Sequence, residues 1–78
     1  MSPTKPLYKL ETNKEATVDS LTIQGNMRRR FMDLGIVPGS TVKALYRAFS
    51  GDPTAYLIQG TVIAIRKEDA AGIMVKPN

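Results

Sequence analysis

The sequence predicts a mainly β fold, a small barrel of about five short strands with one short α-helix inserted and a single helical turn before the last strand. Apolar and polar residues alternate over short runs, most clearly from Thr41 to Phe49, as half-buried strands require. Turn signals at Pro38-Gly39, Ser50-Gly51-Asp52-Pro53 and Gly60 punctuate those runs. The chain is also short. At 78 residues it makes one domain at most, and a domain of that size buries only about 60% of its unfolded surface. A sheet curled on itself suits those limits, because it leaves no long edges uncovered and needs no second layer.

Pro3 and Pro6 break up the start of the chain, so residues 1–6 read as a mobile leader and 7–76 as the single domain. Leu7 to Leu10 reads as a brief strand, Thr12-Asn13-Lys14 as a polar turn, and Ala16 to Val18 as a second strand. The helix is expected from Met27 to Leu34, with Asn26 as N-cap, Gly35 as its left-handed stop and Pro38 beyond. Met27, Phe31 and Leu34 then share one apolar face. Arg29 points directly away from it, Arg28 and Arg30 flank it, and Met32 falls well off it.

Pro38 and Gly39 stand in type II turn order. In the strand that follows, Val42, Ala44, Tyr46 and Ala48 fall on one side. Thr41, Lys43 and Arg47 fall on the other, with Leu45 and Phe49 as apolar exceptions. The Ser50–Pro53 turn makes a hairpin with a strand from Thr54 to Gln59. A strand from Thr61 to Arg66 is entered through Gly60, which reads as a bulge or a sharp bend. Lys67 to Ala71 gives one helical turn closed by Gly72, and Ile73 to Val75 is the last strand.

Cysteine and histidine are both absent. That removes disulfides, thiolate-bound zinc, the commonest general base and the commonest metal ligand together. The acids Asp33, Glu68 and Asp69 have no spacing that gathers oxygens for a hard cation. The glycines are separated by secondary structure and form no phosphate-cradling loop. No catalytic set, metal site or cofactor site is legible. No apolar run is long enough to span a membrane, and Met1 to Pro6 lacks the apolar segment of a signal peptide. With no cysteine, this points to the cytosol.

The charge is +4, from 11 Lys+Arg against 7 Asp+Glu. Its placement says more: Arg28, Arg29, Arg30, Lys43 and Arg47 face a single acid, Asp33, in the stretch that carries the whole excess. Such a concentration suits an acidic protein, a nucleic acid or a phosphate-bearing ligand, and equally a solvated basic face. Bases in the first turn of a helix oppose its dipole at a cost of a few tenths of a kcal/mol each, which suggests another use for at least one arginine. Guanidinium groups that bind a partner's carboxylate or phosphate are one such use, with Arg29 the best placed. A structural role, a stem over the barrel mouth and an internal acid, suits Arg28 or Arg30. Met32, Leu45 or Phe49 beside Arg29, Lys43 and Arg47 would form a docking patch with charged edges. At the hairpin tip, Asp52 is expected to brace the turn through backbone N–H groups rather than hold metal.

The run from Arg28-Arg29-Arg30 through Asp33-Leu34-Gly35 to Pro38-Gly39, then Gly51-Asp52-Pro53, then Ile65-Arg66-Lys67-Glu68-Asp69-Ala70, resembles the ferrous iron transport protein A family. The resemblance covers about residues 7–76 in order and spacing. It departs in the first hairpin, where Glu11 to Lys14 replaces the more usual Pro-Gly turn. What the resemblance implies is an SH3-like barrel, cytoplasmic and without enzyme activity. It would work beside a membrane ferrous iron permease, binding and regulating that protein's cytosolic GTP-binding portion. By position, the partner-binding residues would be Arg28, Arg29, Arg30, Met32, Lys43, Arg47, Gly51, Asp52 and Pro53. No cofactor is implied, and iron would be affected indirectly, since the chain lacks the soft and imidazole ligands that suit it. A second reading is a basic barrel that binds nucleic acid, though five aromatics without basic alternation serve base stacking poorly. A generic interaction module is a third, and exposed hairpin edges allow self-association.

Overall fold

The computed structural model describes residues 3–78, so Met1 and Ser2 of the expected leader lie outside the described residues. Six antiparallel strands form one sheet: β1 (Lys5–Pro6), β2 (Glu15–Leu21), β3 (Thr41–Arg47), β4 (Thr54–Ile58), β5 (Thr61–Ile65) and β6 (Ile73–Pro77). They lie in the order β1-β6-β2-β3-β4-β5. Two helices, α1 (Gly25–Asp33) and α2 (Lys67–Ala70), and a 3₁₀ turn at Leu7–Lys9 complete the chain. Side chains from β2 through β6, from α1 and from the 3₁₀ turn meet in one core cluster, so the sheet curls around a single interior. That is the partly open barrel the turn pattern predicts.

The beginning of the chain differs from expectation. Lys5 and Pro6, placed in the leader, pair with Val75 and Met74 and add a sixth strand at the sheet edge. An edge strand tolerates Pro6, which has no N–H to donate. Leu7 to Lys9 is a 3₁₀ turn rather than a strand. It drives Leu7 and Leu10 fully into the core, at 0% and 2% exposure, each removal from water worth about 1.5–3 kcal/mol. The Leu7 carbonyl also meets the Tyr56 hydroxyl at 3.5 Å.

Bulges reset two strands. In β2 the register shifts between Val18 and Ser20, so Val18 and Leu21, three residues apart, both reach the core. In β3 it shifts between Ala44 and Tyr46. Val42 and Ala44 are buried as expected, but the extra residue turns Tyr46 outward to 61% exposure instead of inward. Gly60 forms neither a bulge nor a barrel bend. With Gln59 it makes a two-residue hairpin turn, both at positive φ, between the paired Ile58 and Thr61.

Helix α1 starts earlier than expected, with Gln24 in the N-cap position and no side-chain cap, so Asn26 lies inside it. Its end is as predicted. The N–H of Gly35 bonds the Met32 carbonyl and that of Ile36 the Phe31 carbonyl, both at 3.0 Å, around a Gly35 φ of +96°. This is a Schellman stop, and its apolar contact joins Phe31 to Ile36 in the core. Ile36 takes the buried place expected of Leu34, which is left 38% exposed at the helix end. Among the described residues, no helix is long and apolar enough to cross a membrane.

Candidate partner-binding surface

The β3–β4 hairpin is closed by the Ala48 N–H on the Pro53 carbonyl at 2.9 Å and the Gly51 N–H on the Ala48 carbonyl at 2.7 Å. Inside it the Ser50 hydroxyl donates to the Asp52 carbonyl at 2.9 Å, and the Asp52–Pro53 bond is cis. As expected, Asp52 braces backbone, but not its own turn: its Oδ1 accepts the N–H of Lys67 at 2.8 Å, at the start of α2. Lys67 extends its ammonium over the Tyr8 ring, 5.2 Å from the centroid. Arg47 reaches the Tyr8 carbonyl at 3.4 Å. Tyr8, Lys9, Arg47, Gly51, Asp52, Thr54 and Lys67 thus line one open cleft of about 500 Å³. Burial pushes the Tyr56 hydroxyl pKa up, while the neighbouring Thr54 side chain and the Arg47 charge oppose the rise and the Asp52 charge adds to it.

The arginine triplet sits elsewhere. All three arginines are exposed, but Arg28 is engaged through Nη1, which donates to the Leu21 carbonyl at 2.7 Å. This is the structural role foreseen for one arginine, satisfied by a backbone carbonyl rather than an acid. Because α1 begins at Gly25, the triplet occupies its middle, and Arg30 falls in the last turn, where the dipole favours a cation. The three arginines therefore do not form a first-turn cluster set against the helix dipole. Met32, 42% exposed, lies off the buried face as predicted and lines a cleft of about 470 Å³ with Arg28, Arg29 and Asp33.

Lys43 faces Glu15 on one neighbouring strand and Leu57 on the other, and it lines a third depression near Gln59 and Gly60. The nine predicted residues therefore do not gather into one patch. The stop of α1 lies against the β4–β5 turn, where Gly35 touches the Gln59 side chain. The hairpin tip with Arg47, Gly51, Asp52 and Pro53 lies at the opposite end of β4, a strand of five residues, or about 17 Å. Phe49, expected on the polar side of its strand, projects fully into solvent near the tip, whereas Leu45, at the bulge, is half-buried.

Sequence reasoning missed Tyr8, Lys9 and Lys67. Reading Leu7 to Leu10 as a strand hid the first two, and Lys67 appeared only as the second base of the Ile65–Ala70 motif. Its junction with Asp52 joins two turns fifteen residues apart, which no local pattern announces. Among the described residues, no three Asp or Glu side chains lie close enough together to hold a metal ion.

Comparison with known proteins places the chain. Residues 5–77 match the model of the FeoA domain. The chain is 33% identical over 70 residues to an Fe(2+) transport protein A/Fe(2+) transporter FeoB fusion protein of Porphyromonas gingivalis. That match covers 90% of this chain and 8% of the relative, so the chain spans a small fraction of that protein's length. The solution structure of a Chlorobium tepidum FeoA protein superposes with a TM-score of 0.86 at 35% identity, covering 99% of this chain and 70% of that one. The FeoA of Stenotrophomonas maltophilia, a prokaryotic SH3 domain protein solved with zinc, gives 0.80 at 27% identity, covering 90% of this chain and 87% of that one. The curled six-stranded sheet is accordingly an SH3-like barrel.

Proposed function

The chain belongs to the FeoA domain family, a domain of ferrous iron transport, and on that premise we propose that it is a non-catalytic accessory protein. In this reading it binds and regulates the cytosolic GTP-binding portion of the membrane ferrous iron permease, and acts in the cytoplasm at the inner face of the membrane. One observation carries the reading: the Porphyromonas gingivalis relative joins a transport protein A to a FeoB transporter in one polypeptide. Two activities fused in one chain work at high effective concentration, and separate chains achieve the same end by docking.

The contact surface we assign first is the outer side of α1. The side chains of Arg29 and Arg30 make no hydrogen bond or ion pair among the described residues, and Met32 offers an exposed, adaptable apolar side chain beside Arg29. Guanidinium groups around a soft apolar centre are the composition of protein interfaces. A titration of ¹⁵N-labelled protein with the purified GTP-binding portion, and separately with single-stranded DNA, tests the reading. Shifts on Arg29, Arg30 and Met32 with the permease portion support it. Salt-sensitive shifts with DNA and none with the permease portion would replace it with nucleic-acid binding.

A further inference from the structure

We infer that the cleft between the 3₁₀ turn, the β3–β4 hairpin and α2 is the docking site for an acidic, extended peptide segment of a protein partner. This rests on the reading of the chain as a docking protein and adds a second contact, at the far end of β4 from α1. Lys9, Arg47 and Lys67 come from three parts of the chain and converge on one cleft with a single carboxylate, Asp52, a balance of three positive charges to one negative. None of the three cations forms an ion pair, because the one within 4.0 Å among the described residues joins Lys76 to Asp19. Asp52 supplies the one negative charge of the cleft, its Oδ1 accepting the Lys67 N–H, so an excess of two positive charges stays uncompensated. Cations brought together by a fold and left unpaired repel one another, and an incoming carboxylate relieves that repulsion.

The shape and lining select the kind of anion. A second depression adjoins the first through Tyr8, Asp52 and Lys67 and runs on to Glu68 and Ala71, making a groove rather than a pit. Its two ends differ. Arg47 and Lys9 attract charge at one end, Tyr8 with the Lys67 ammonium over its ring lies between, and Glu68 repels anions at the other. A nucleic-acid strand carries a phosphate at every step and would set some against Asp52 and Glu68. A peptide can place its acids opposite Arg47, Lys9 and Lys67 and neutral side chains beside Glu68 and Ala71. Arg47 suits the first task, since only one of its Nη groups is spent, at 3.4 Å, on the Tyr8 carbonyl.

The test is an NMR titration of the full chain with a hexaglutamate peptide, with inorganic pyrophosphate, a short oligothymidylate and hexalysine as comparison probes. Hexaglutamate is expected to shift the amides of Tyr8, Lys9, Arg47 and Lys67. Arg47→Ala and Lys67→Ala, each checked for an unchanged spectrum elsewhere, are expected to weaken it about tenfold. Shifts outside the cleft, no shifts, or equal binding by pyrophosphate or oligothymidylate would overturn the inference. The permease GTP-binding portion provides a separate arm. If it binds the two variants as tightly as the unaltered protein, the cleft is not its contact and the docking reading survives. If it binds neither the variants nor the unaltered protein, the docking reading falls, and the hexaglutamate arm alone decides whether the cleft takes acidic segments. If it binds the unaltered protein and loses both variants, the cleft is its contact.

Discussion

The Asp52 carboxylate caps α2 from another part of the chain, accepting the Lys67 backbone N–H at 2.8 Å. The helix supplies no cap of its own, since the Arg66 side chain makes no such bond. One hydrogen bond therefore ties the hairpin tip to the helical turn and to Lys67, whose ammonium lies over Tyr8. Replacing a capping carboxylate by alanine costs about 0.5–2 kcal/mol, and at this exposed position the low end is expected. Asp52→Ala should lower the unfolding free energy read from a urea transition by that amount and speed exchange of the Lys67 amide. Asp52→Asn, which retains an accepting oxygen, should keep most of both. Equal losses in the two variants would mean that charge rather than capping ties the hairpin to α2.

Arg28 and Arg29, adjacent in sequence, are expected to behave differently. Arg28 holds the Leu21 carbonyl at the end of β2, a charge-assisted bond at 2.7 Å. The Arg29 side chain makes no hydrogen bond or ion pair among the described residues. Arg28→Ala should cost about 1 kcal/mol of stability, discounted toward the low end of the range for charged bonds by its exposure. Arg29→Ala should leave stability within about 0.5 kcal/mol of the starting protein. Chemical denaturation of the two variants side by side decides this, and similar losses would mean that the Arg28 bond to the Leu21 carbonyl adds nothing to stability.

Much of the barrel was legible because local signals are strong where turns and periodicity act alone. The Gly35 stop, the Pro38-Gly39 turn, the Ser50–Pro53 hairpin and the helical turn before the last strand all stand where residue chemistry puts them. The errors share a cause. Tyr46 faces outward because a bulge inserts one residue, and an extra residue leaves no mark in a period-two pattern. Lys5 and Pro6 form a strand only because β6 runs beside them. The candidate surface suffered most, since a patch spanning α1 and the hairpin needs tertiary proximity that β4 prevents. Arg47, Gly51 and Asp52 do share a cleft, but Tyr8, Lys9 and Lys67 complete it from segments that look unremarkable in isolation.

Gly35 and Gly39 give a paired test of close packing against backbone strain. Both hold a positive φ, +96° and +95°, so alanine at either pays the left-handed penalty of about 1–2 kcal/mol. At Gly39 a new Cβ would meet open space, whereas at Gly35 it would lie 2.7 Å from the Gln59 Cγ. Gly35→Ala should therefore destabilise more than Gly39→Ala. Adding Gln59→Ala should recover most of the difference, a coupling that a double-mutant cycle measures directly. Additive losses would show that α1 does not press on the β4–β5 turn.

Tyr56 should make the protein more sensitive to alkali than its surface residues would. Burial dominates its environment and raises the hydroxyl pKa above the usual tyrosine value, which is about 10. The folded state thus holds the phenolic proton to higher pH than the unfolded chain does. Above about pH 10 the unfolded state binds fewer protons than the folded one, so stability falls as pH rises. The contribution is complete below the unfolded pKa and is lost as pH climbs through the folded one. Lysines titrate in the same range, and comparison with Tyr56→Phe isolates the tyrosine. At pH 7 that variant should lose about 0.5 kcal/mol or less, because the bond to the Leu7 carbonyl is long at 3.5 Å. Above pH 10 its stability should decline less steeply, and the two curves should converge or cross. Parallel curves would mean that Tyr56 ionises as readily in the folded barrel as in the open chain, and that the Arg47 and Thr54 contacts cancel its burial.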